Sequence, residues 1–354
     1  MHLRRFALEV LICIGLMLCV GCGARSSSTP NATERFAFVP NEFSNSISTY
    51  AIDGQTGQLS AKGTVPSGGN NPGLIVVEPS GHFAYVGNID SISAFAIDAN
   101  TGSLTMIGST VSAGSGSIVV GPTGNVLYSL NEQTNAISGF SINPNTGALT
   151  PLSGTVPTDA APVKLKFHPS GHFAYAANFN SGDVTVYRVD NAGALALLGA
   201  TPVGLSPLGI SMHPTGKFLF IADFSSNAVT AFSVDQASGA LTPIGQPVAG
   251  GNAPTSVTVD AQGRFVYVTN ALDGSVITFA VDVTTGALTR RTTVSAGTFP
   301  VALTLDASGR FAYAANFGSD NVTLFAIDST TGALTKVGPP ANAGTGPASV
   351  TLIK

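Results

Sequence analysis

The sequence predicts an all-β chain folded as a seven-bladed β-propeller with four-stranded antiparallel blades, and three observations carry that prediction. A unit typified by residues 309–335, GRFAYAANFGSDNVTLFAIDSTTGALT, occurs in seven copies. A polar residue ends the aromatic run of each copy: Asn41, Asn88, Asn131, Asn178, Asp223, Asn270 and Asn316, at spacings of 43 to 47 residues. A period in the forties marks propellers and solenoids. The composition agrees, with 41 Gly, 10% charged residues and no Trp in 354 residues, and no amphipathic helical pattern after the first twenty. Finally, the repeat starts in mid-unit at residues 35–41 and stops after a lone first strand at 347–353. The two ends therefore complete one shared blade, which removes the exposed edges that the incomplete ends would otherwise leave.

Each strand of the unit has its own signal. The first follows a proline by a fixed offset (Pro72, Pro162, Pro207, Pro254, Pro300 and Pro347, with Ser115 in the equivalent place) and is a short apolar run. A glycine turn follows, as at Gly81, Gly171 and Gly263, because glycine takes positive φ at low cost. The second strand places aromatics two apart and so on one face, as in Phe83/Tyr85 and Phe311/Tyr313. The third puts an aliphatic residue three before an aromatic in all seven copies, from Ile47/Tyr50 to Val322/Phe325. An Asp or Asn and then Gly-x-Leu turns the chain into the fourth, as in residues 98–104.

The N-terminus reads as an address. Arg4 and Arg5 precede an apolar run, residues 6–20, that is too short for a comfortable span and has the form of a secretory signal. It ends in Leu18-Cys19-Val20-Gly21-Cys22, which resembles the lipobox of bacterial lipoproteins, with Cys22 lipidated. Cys19 departs from the usual leucine, and cleavage after Ala24 to a freely soluble product is the alternative. The expected organisation is a signal peptide at 1–21, a lipidated Cys22 and polar tether at 22–33, and one propeller at 34–354. The product is expected in the cell envelope, periplasmic or at the surface, touching membrane only through its anchor. Cys13, Cys19 and Cys22 are the only cysteines, so the ring must close without disulfides.

Several function classes are disfavoured. Residues 22–354 hold 13 basic and 18 acidic side chains, a net charge of −5, with no basic stripe for nucleic acid. His168 and His172 have a zinc-like spacing but bracket the Pro169-Ser170-Gly171 turn, so turn polarity explains them. The recurring Asn reads as a loop cap, and the Asp before each Gly-x-Leu as an Asx turn without the further carboxylates of a calcium loop. No phosphate loop, nucleophile elbow or haem motif occurs. No cofactor is expected, and the chain reads as a monomer.

Tyr267-Val268-Thr269-Asn270 and the pattern Pro-x-x-x-x-x-His-Pro-x-Gly-x-Phe-x-Tyr-x-x-Asn from Pro162 to Asn178 resemble the YVTN-repeat and lactonase family of seven-bladed propellers, which includes 6-phosphogluconolactonases and carboxymuconate cyclases. The resemblance implies a pocket at one mouth of the central channel. It also implies an arginine after the first-strand proline and a glutamate after the second-strand asparagine of the same blade. Here the post-proline residues are Gly73, Val163, Leu208, Thr255, Val301 and Ala348, so no arginine is present, and the family's histidine is missing after Pro207. The glutamate survives as Glu42 and Glu132, and Lys164 is the only cation placed to enter the channel from that end. The candidate catalytic residues are Glu42, Glu132 and Lys164, and the set carried over from the family is incomplete.

Two functions are therefore expected to compete: a binding or interaction module, and a hydrolase or cyclase of a sugar-derived or other lactone. The loops on the expected mouth carry Glu42, Asp90, Glu132, Asp159, Asp183, Asp223, Asp273 and Asp320, whereas Lys217, Arg264, Arg310, His82 and His172 fall at the opposite mouth. Such a field favours neutral or cationic partners, whether small molecule, glycan or protein, and disfavours 6-phosphogluconolactone.

Overall fold

The structure, a computed structural model, describes residues 35–353 except Ser115. The expected signal segment, Cys22 and the tether lie outside the described residues. Seven antiparallel sheets arise in chain order. The closing blade holds residues 35–66 with 351–353, and blades 1 to 6 hold residues 74–112, 118–157, 162–202, 207–249, 254–295 and 300–342. First strands of successive blades meet one another and line the axis, whereas fourth strands face outward with most side chains exposed.

Ring closure follows the phase of the chain ends. Arg35–Asn41 lies between Ser46–Ile52 on one side and Thr351–Ile353 on the other. Phe36 is opposite Ile353, Ala37 opposite Leu352 and Phe38 opposite Thr351, and Asn41 bridges Pro347. The C-terminal strand is shorter than the pattern predicted, three residues in place of 347–353, with Val350 buried just before it.

The period-2 aromatics explain how blades stack. Each apolar cluster straddles two blades, as where Phe173 and Tyr175 of blade 3 meet Leu219, Ile221 and Phe232 of blade 4. In six of the seven blades the glycine of the turn before the fourth strand sits against a phenylalanine ring of the blade before it. At Gly239, whose φ is +76°, an added Cβ would lie 2.6 Å from the Phe173 ring. Both its conformation and its neighbour therefore require glycine. The tyrosine two residues on completes the junction: Tyr85, Tyr175 and Tyr313 donate to the carbonyls of Gly147, Gly239 and Gly57 at 3.0, 3.0 and 2.8 Å, and Tyr128 does the same to Gly193. Tyr267 departs from this rule, its buried hydroxyl having no partner among the described residues.

Three fourth strands are interrupted where the repeat predicts one run: Leu104–Met106 with Val111–Ser112, Leu241–Pro243 with Val248–Ala249, and Leu334–Lys336 with Ala341–Asn342. Gly108, Gly245 and Gly338 turn to φ near +60° at each break. The other outer strands keep one run but carry a register shift against the third strand. Breaks and bulges make the outer edges poor templates for pairing with other chains.

Candidate functional site

The loops between second and third strands gather at one mouth with the segments that lead into the next first strand. The recurring asparagine ties the two together. Asn41 donates to Ser48 Oγ at 3.0 Å and accepts from the Gly344 amide at 3.0 Å. Asn316 donates to Thr323 Oγ1 at 2.8 Å and accepts from Gly297 at 2.9 Å. Buried and satisfied, Asn41 and Asn316 serve as loop caps, whereas the Oδ1 atoms of Asn88 and Asn270 have no partner among the described residues. A residue in the left-handed region then ends the loop, as at Asn45, Asn135, Asn227 and Asp320. Its side chain accepts from the incoming segment: Asn135 from the Ala161 amide at 2.9 Å, and Asp320 from Gly346 at 2.8 Å.

This framework places Glu42 and Glu132 directly after their caps. The Glu42 amide donates to Gly346 O at 2.8 Å, and Asn131 accepts from the amides of Gln133 and Thr134 at 2.9 Å each, shaping the turn that carries Glu132. Lys164 arrives from Pro162–Phe167, whose register against Phe173–Asn178 shifts between Pro162 and Lys164. A bulge re-aims the residues beside it. All three side chains line one cleft of about 380 Å³, closed by Asn71, Gly73, Leu74, Ile89, Gly116, Ser117, Val163 and Leu208. Glutamates from the closing blade and blade 2 thus meet a lysine from blade 3, so the cation need not come from a glutamate's own blade.

The cleft perturbs its titratable groups. Burial raises the Glu42 carboxyl above the ordinary carboxylate range, and a hydrogen bond with the Asn71 side chain offsets part of the rise. Burial alone pushes the Lys164 ammonium down to about 8. Lys166, two residues on, is lowered by burial as well. Solvent reaches both lysines, Lys166 more than Lys164, yet protein surrounds them. They stand in the mouth and wall of the channel. A carboxylate shifted upward and an ammonium shifted downward in one cleft are the shifts that a general base and a cationic electrophile need near neutral pH.

The remaining acids do not join this cleft. Asp159 and Asp183 lie close to each other near Thr185, which donates to Asp159 Oδ2 at 3.4 Å. Burial first, and then the charge of Asp159, raise Asp183 against a hydrogen bond from Asn178. Asp273 accepts from the Asn252 amide at 2.8 Å, and Asp320 and the buried Asp223 are also occupied with backbone amides. Asp90 is exposed. The sequence reading missed the apolar side of the mouth, where Phe43 packs edge-on against Phe317 at 5.1 Å and Phe179 lies 6.3 Å from Phe224. The available signal was that the residue after the cap is Glu twice but Phe three times, at Phe179, Phe224 and Phe317.

At the opposite mouth the His168 and His172 turn is structural. His168 Nδ1 pairs with Ser170 Oγ at 2.8 Å and Nε2 with Gly216 O of the next blade at 3.2 Å. His213 repeats the contact with Gly263 O at 3.0 Å. Among the described residues no three His, Cys, Asp or Glu side chains are grouped to hold a metal ion.

Comparison with known proteins places this geometry. The chain matches the family described as Lactonase, 7-bladed beta-propeller, over residues 29–121, 117–258 and 243–351. A candidate 6-phosphogluconolactonase from Bacteroides fragilis superposes with a TM-score of 0.82 at 20% identity, covering 93% of this chain and 100% of its own. A protein from Lactobacillus plantarum gives 0.81 at 23%, covering 91% and 99%. The periplasmic gluconolactonase of Pseudomonas aeruginosa gives 0.78 at 21%, covering 90% and 99%. No curated protein matches the chain. At these identities the superpositions speak for the fold, and the match along nearly the whole propeller speaks for kinship: the chain belongs to the lactonase family of seven-bladed β-propellers.

Proposed function

We propose that the cleft binds a small uncharged lactone and opens its ring with water. The observation that carries this reading is the convergence of Glu42, Glu132 and Lys164 on one cleft at the channel mouth. Glu42 takes a proton from water as the oxygen attacks the lactone carbonyl carbon. The Lys164 ammonium faces the oxyanion that forms, where a preoriented cation has its greatest effect. Collapse breaks the bond to the ring oxygen, which leaves as a hydroxyl with the proton Glu42 returns, and the product is a hydroxy acid. Glu132 gives the cleft a second negative charge, which disfavours substrates that already carry phosphate or carboxylate.

The test is turnover of glucono-δ-lactone by residues 22–354. Initial rates should rise with pH through the elevated Glu42 pKa, and both Glu42→Gln and Lys164→Met should reduce kcat/KM by about 10² or more. Efficient, saturable hydrolysis of 6-phosphogluconolactone that Glu132→Gln abolishes would refute the preference for neutral rings. A second reading, binding without turnover, is favoured by the absence of arginine at every post-proline position. Saturable stabilisation by a lactone that is never hydrolysed would select it. Export and lipidation at Cys22 belong to the same proposal, supported by the apolar run at 6–20. Loss of membrane association in a Cys22→Ala variant tests it.

A further inference from the structure

The seven innermost strands differ in one respect that neither the fold nor ring opening at the mouth explains. Six of them, Leu74–Val77, Ile118–Val120, Pro207–Met212, Pro254–Val259, Pro300–Leu305 and Thr351–Ile353, contain no charged residue. The seventh, Pro162–Phe167, contains two, Lys164 and Lys166. At several equivalent positions the other blades carry hydroxyls, and four of these stitch neighbouring inner strands along the channel wall, whereas blade 1 has Leu74 and Val76 there. Ser117 donates to Val163 O at 2.7 Å, Thr258 to Leu303 O at 2.8 Å, Thr304 to Val350 O at 2.6 Å, and Thr351 to Ile75 O at 2.6 Å. In blade 3 the stitch is replaced by two ammonium groups.

Residues two apart on a strand share a face and lie about 7 Å apart along it. Lys164 stands level with the cleft glutamates, and Lys166 one step deeper, toward the turn at His168. No acidic side chain occurs on the innermost strands to balance Lys166. Solvent in the channel reaches Lys166, and an ammonium there with no acidic side chain on the innermost strands is open to an anion from solution.

We propose that Lys164 and Lys166 form an anion site on the channel wall that takes the carboxylate of a small hydroxy acid. The site stands on the geometry of the strand at 162–167, whereas naming its ligand as the ring-opened product rests on the lactone reading above. Two lysines about 7 Å apart along the strand bring their ammonium groups to one carboxylate, and the hydroxyl of Ser117, just before the adjoining strand, meets the hydroxyls of the acid. Hydrolysis turns a neutral ring, accepted among the glutamates, into an anion that they repel and the lysines attract. The product then has a resting place one step below the site of its formation, and it becomes a competitive inhibitor.

Calorimetric titration of residues 22–354 at fixed ionic strength tests this directly, with sodium gluconate, inorganic phosphate and glucose as the three titrants. Gluconate should bind saturably, and Lys166→Met should weaken it by about tenfold or more, with Lys166→Gln as a second variant should the first fold poorly. Glucose should give no saturable heat. Phosphate binding without gluconate binding overturns the carboxylate assignment, and equal gluconate affinity in the folded Lys166 variants overturns the site. No turnover enters the measurement. A wild type that fails to hydrolyse lactones yet binds gluconate through Lys166 removes the earlier reading and leaves the anion site standing.

Discussion

Truncation after Ser349, which removes residues 350–354, tests whether the ring is one cooperative body closed by its last strand. The deletion takes away the side chains of Val350 and Ile353, 3% and 7% exposed. At about 1.5 to 3 kcal/mol for each buried aliphatic side chain, that loss is about 3 to 6 kcal/mol. It also removes the bonds from Thr304 Oγ1 to Val350 O and from Thr351 Oγ1 to Ile75 O, both 2.6 Å, at about 1 kcal/mol each. The total, about 5 to 8 kcal/mol, is a large share of a typical folding free energy. An unfolding entropy of about 2.1 cal/mol/K per residue over some 320 residues is about 0.7 kcal/mol/K, so Tm should fall by about 7 to 12 °C. Thermal unfolding followed by far-UV circular dichroism measures it, with deletion of Lys354 alone as the control. The whole transition should move. A Tm within 2 °C of the parent, with exchange of amide hydrogens accelerated only in residues 35–41, would mean that the closing strand merely decorates one blade.

Other outcomes follow from the junctions and the cleft. Gly239→Ala should cost about 2 to 4 kcal/mol in chemical denaturation, combining a positive φ with a Cβ set against the Phe173 ring. Tyr175→Phe should cost about 1 kcal/mol by stranding the Gly239 carbonyl, whereas Tyr267→Phe, which removes an unpartnered hydroxyl, should be neutral or stabilising. Lys164→Met should raise stability at pH 7 by about 1 to 3 kcal/mol while impairing turnover. The sign comes from a folded pKa of about 8 that lies below the unfolded value. The native state therefore carries the penalty in full below pH 8, and wild-type stability gains on the variant's as pH rises from about 8 to about 10.5, which urea unfolding at several pH values will show.

The blades, their number and the shared closing blade were all legible, because each rests on a repeated local rule. Aromatics two apart fix a strand face, and the cap residue fixes where it ends. The interrupted outer strands were not legible. Gly108, Gly245 and Gly338, at φ near +60°, break the run, while Gly63 and Gly199, at φ near +150°, only bend it, a difference that composition does not reveal. For the site, the period told which blade each residue belongs to but not which blades crowd together at the axis. The family resemblance implied a cation in the same blade as each glutamate, whereas Lys164, already the one cation placed at that end by the sequence, enters the cleft from blade 3. Asp320 looked like a ligand-facing acid. Asn45, Asn135 and Asn227 hold the equivalent latch, so an Asn-for-Asp exchange at one repeat position was a readable sign that hydrogen bonding, not charge, is required there.

The place of the first strand has a mechanical consequence. A strand at the edge of a sheet peels away one hydrogen bond at a time under tension, so little force is needed. Arg35–Asn41 has partners on both sides, seven residue pairs with Ser46–Ile52 and three with Thr351–Ile353. Tension applied through the chain leading into residue 35 therefore runs along the strand and loads both ladders in shear, where the bonds must fail together. If the N-terminus is held at a membrane as proposed, flow or crowding that drags on the propeller would be resisted by the same seam that closes the ring.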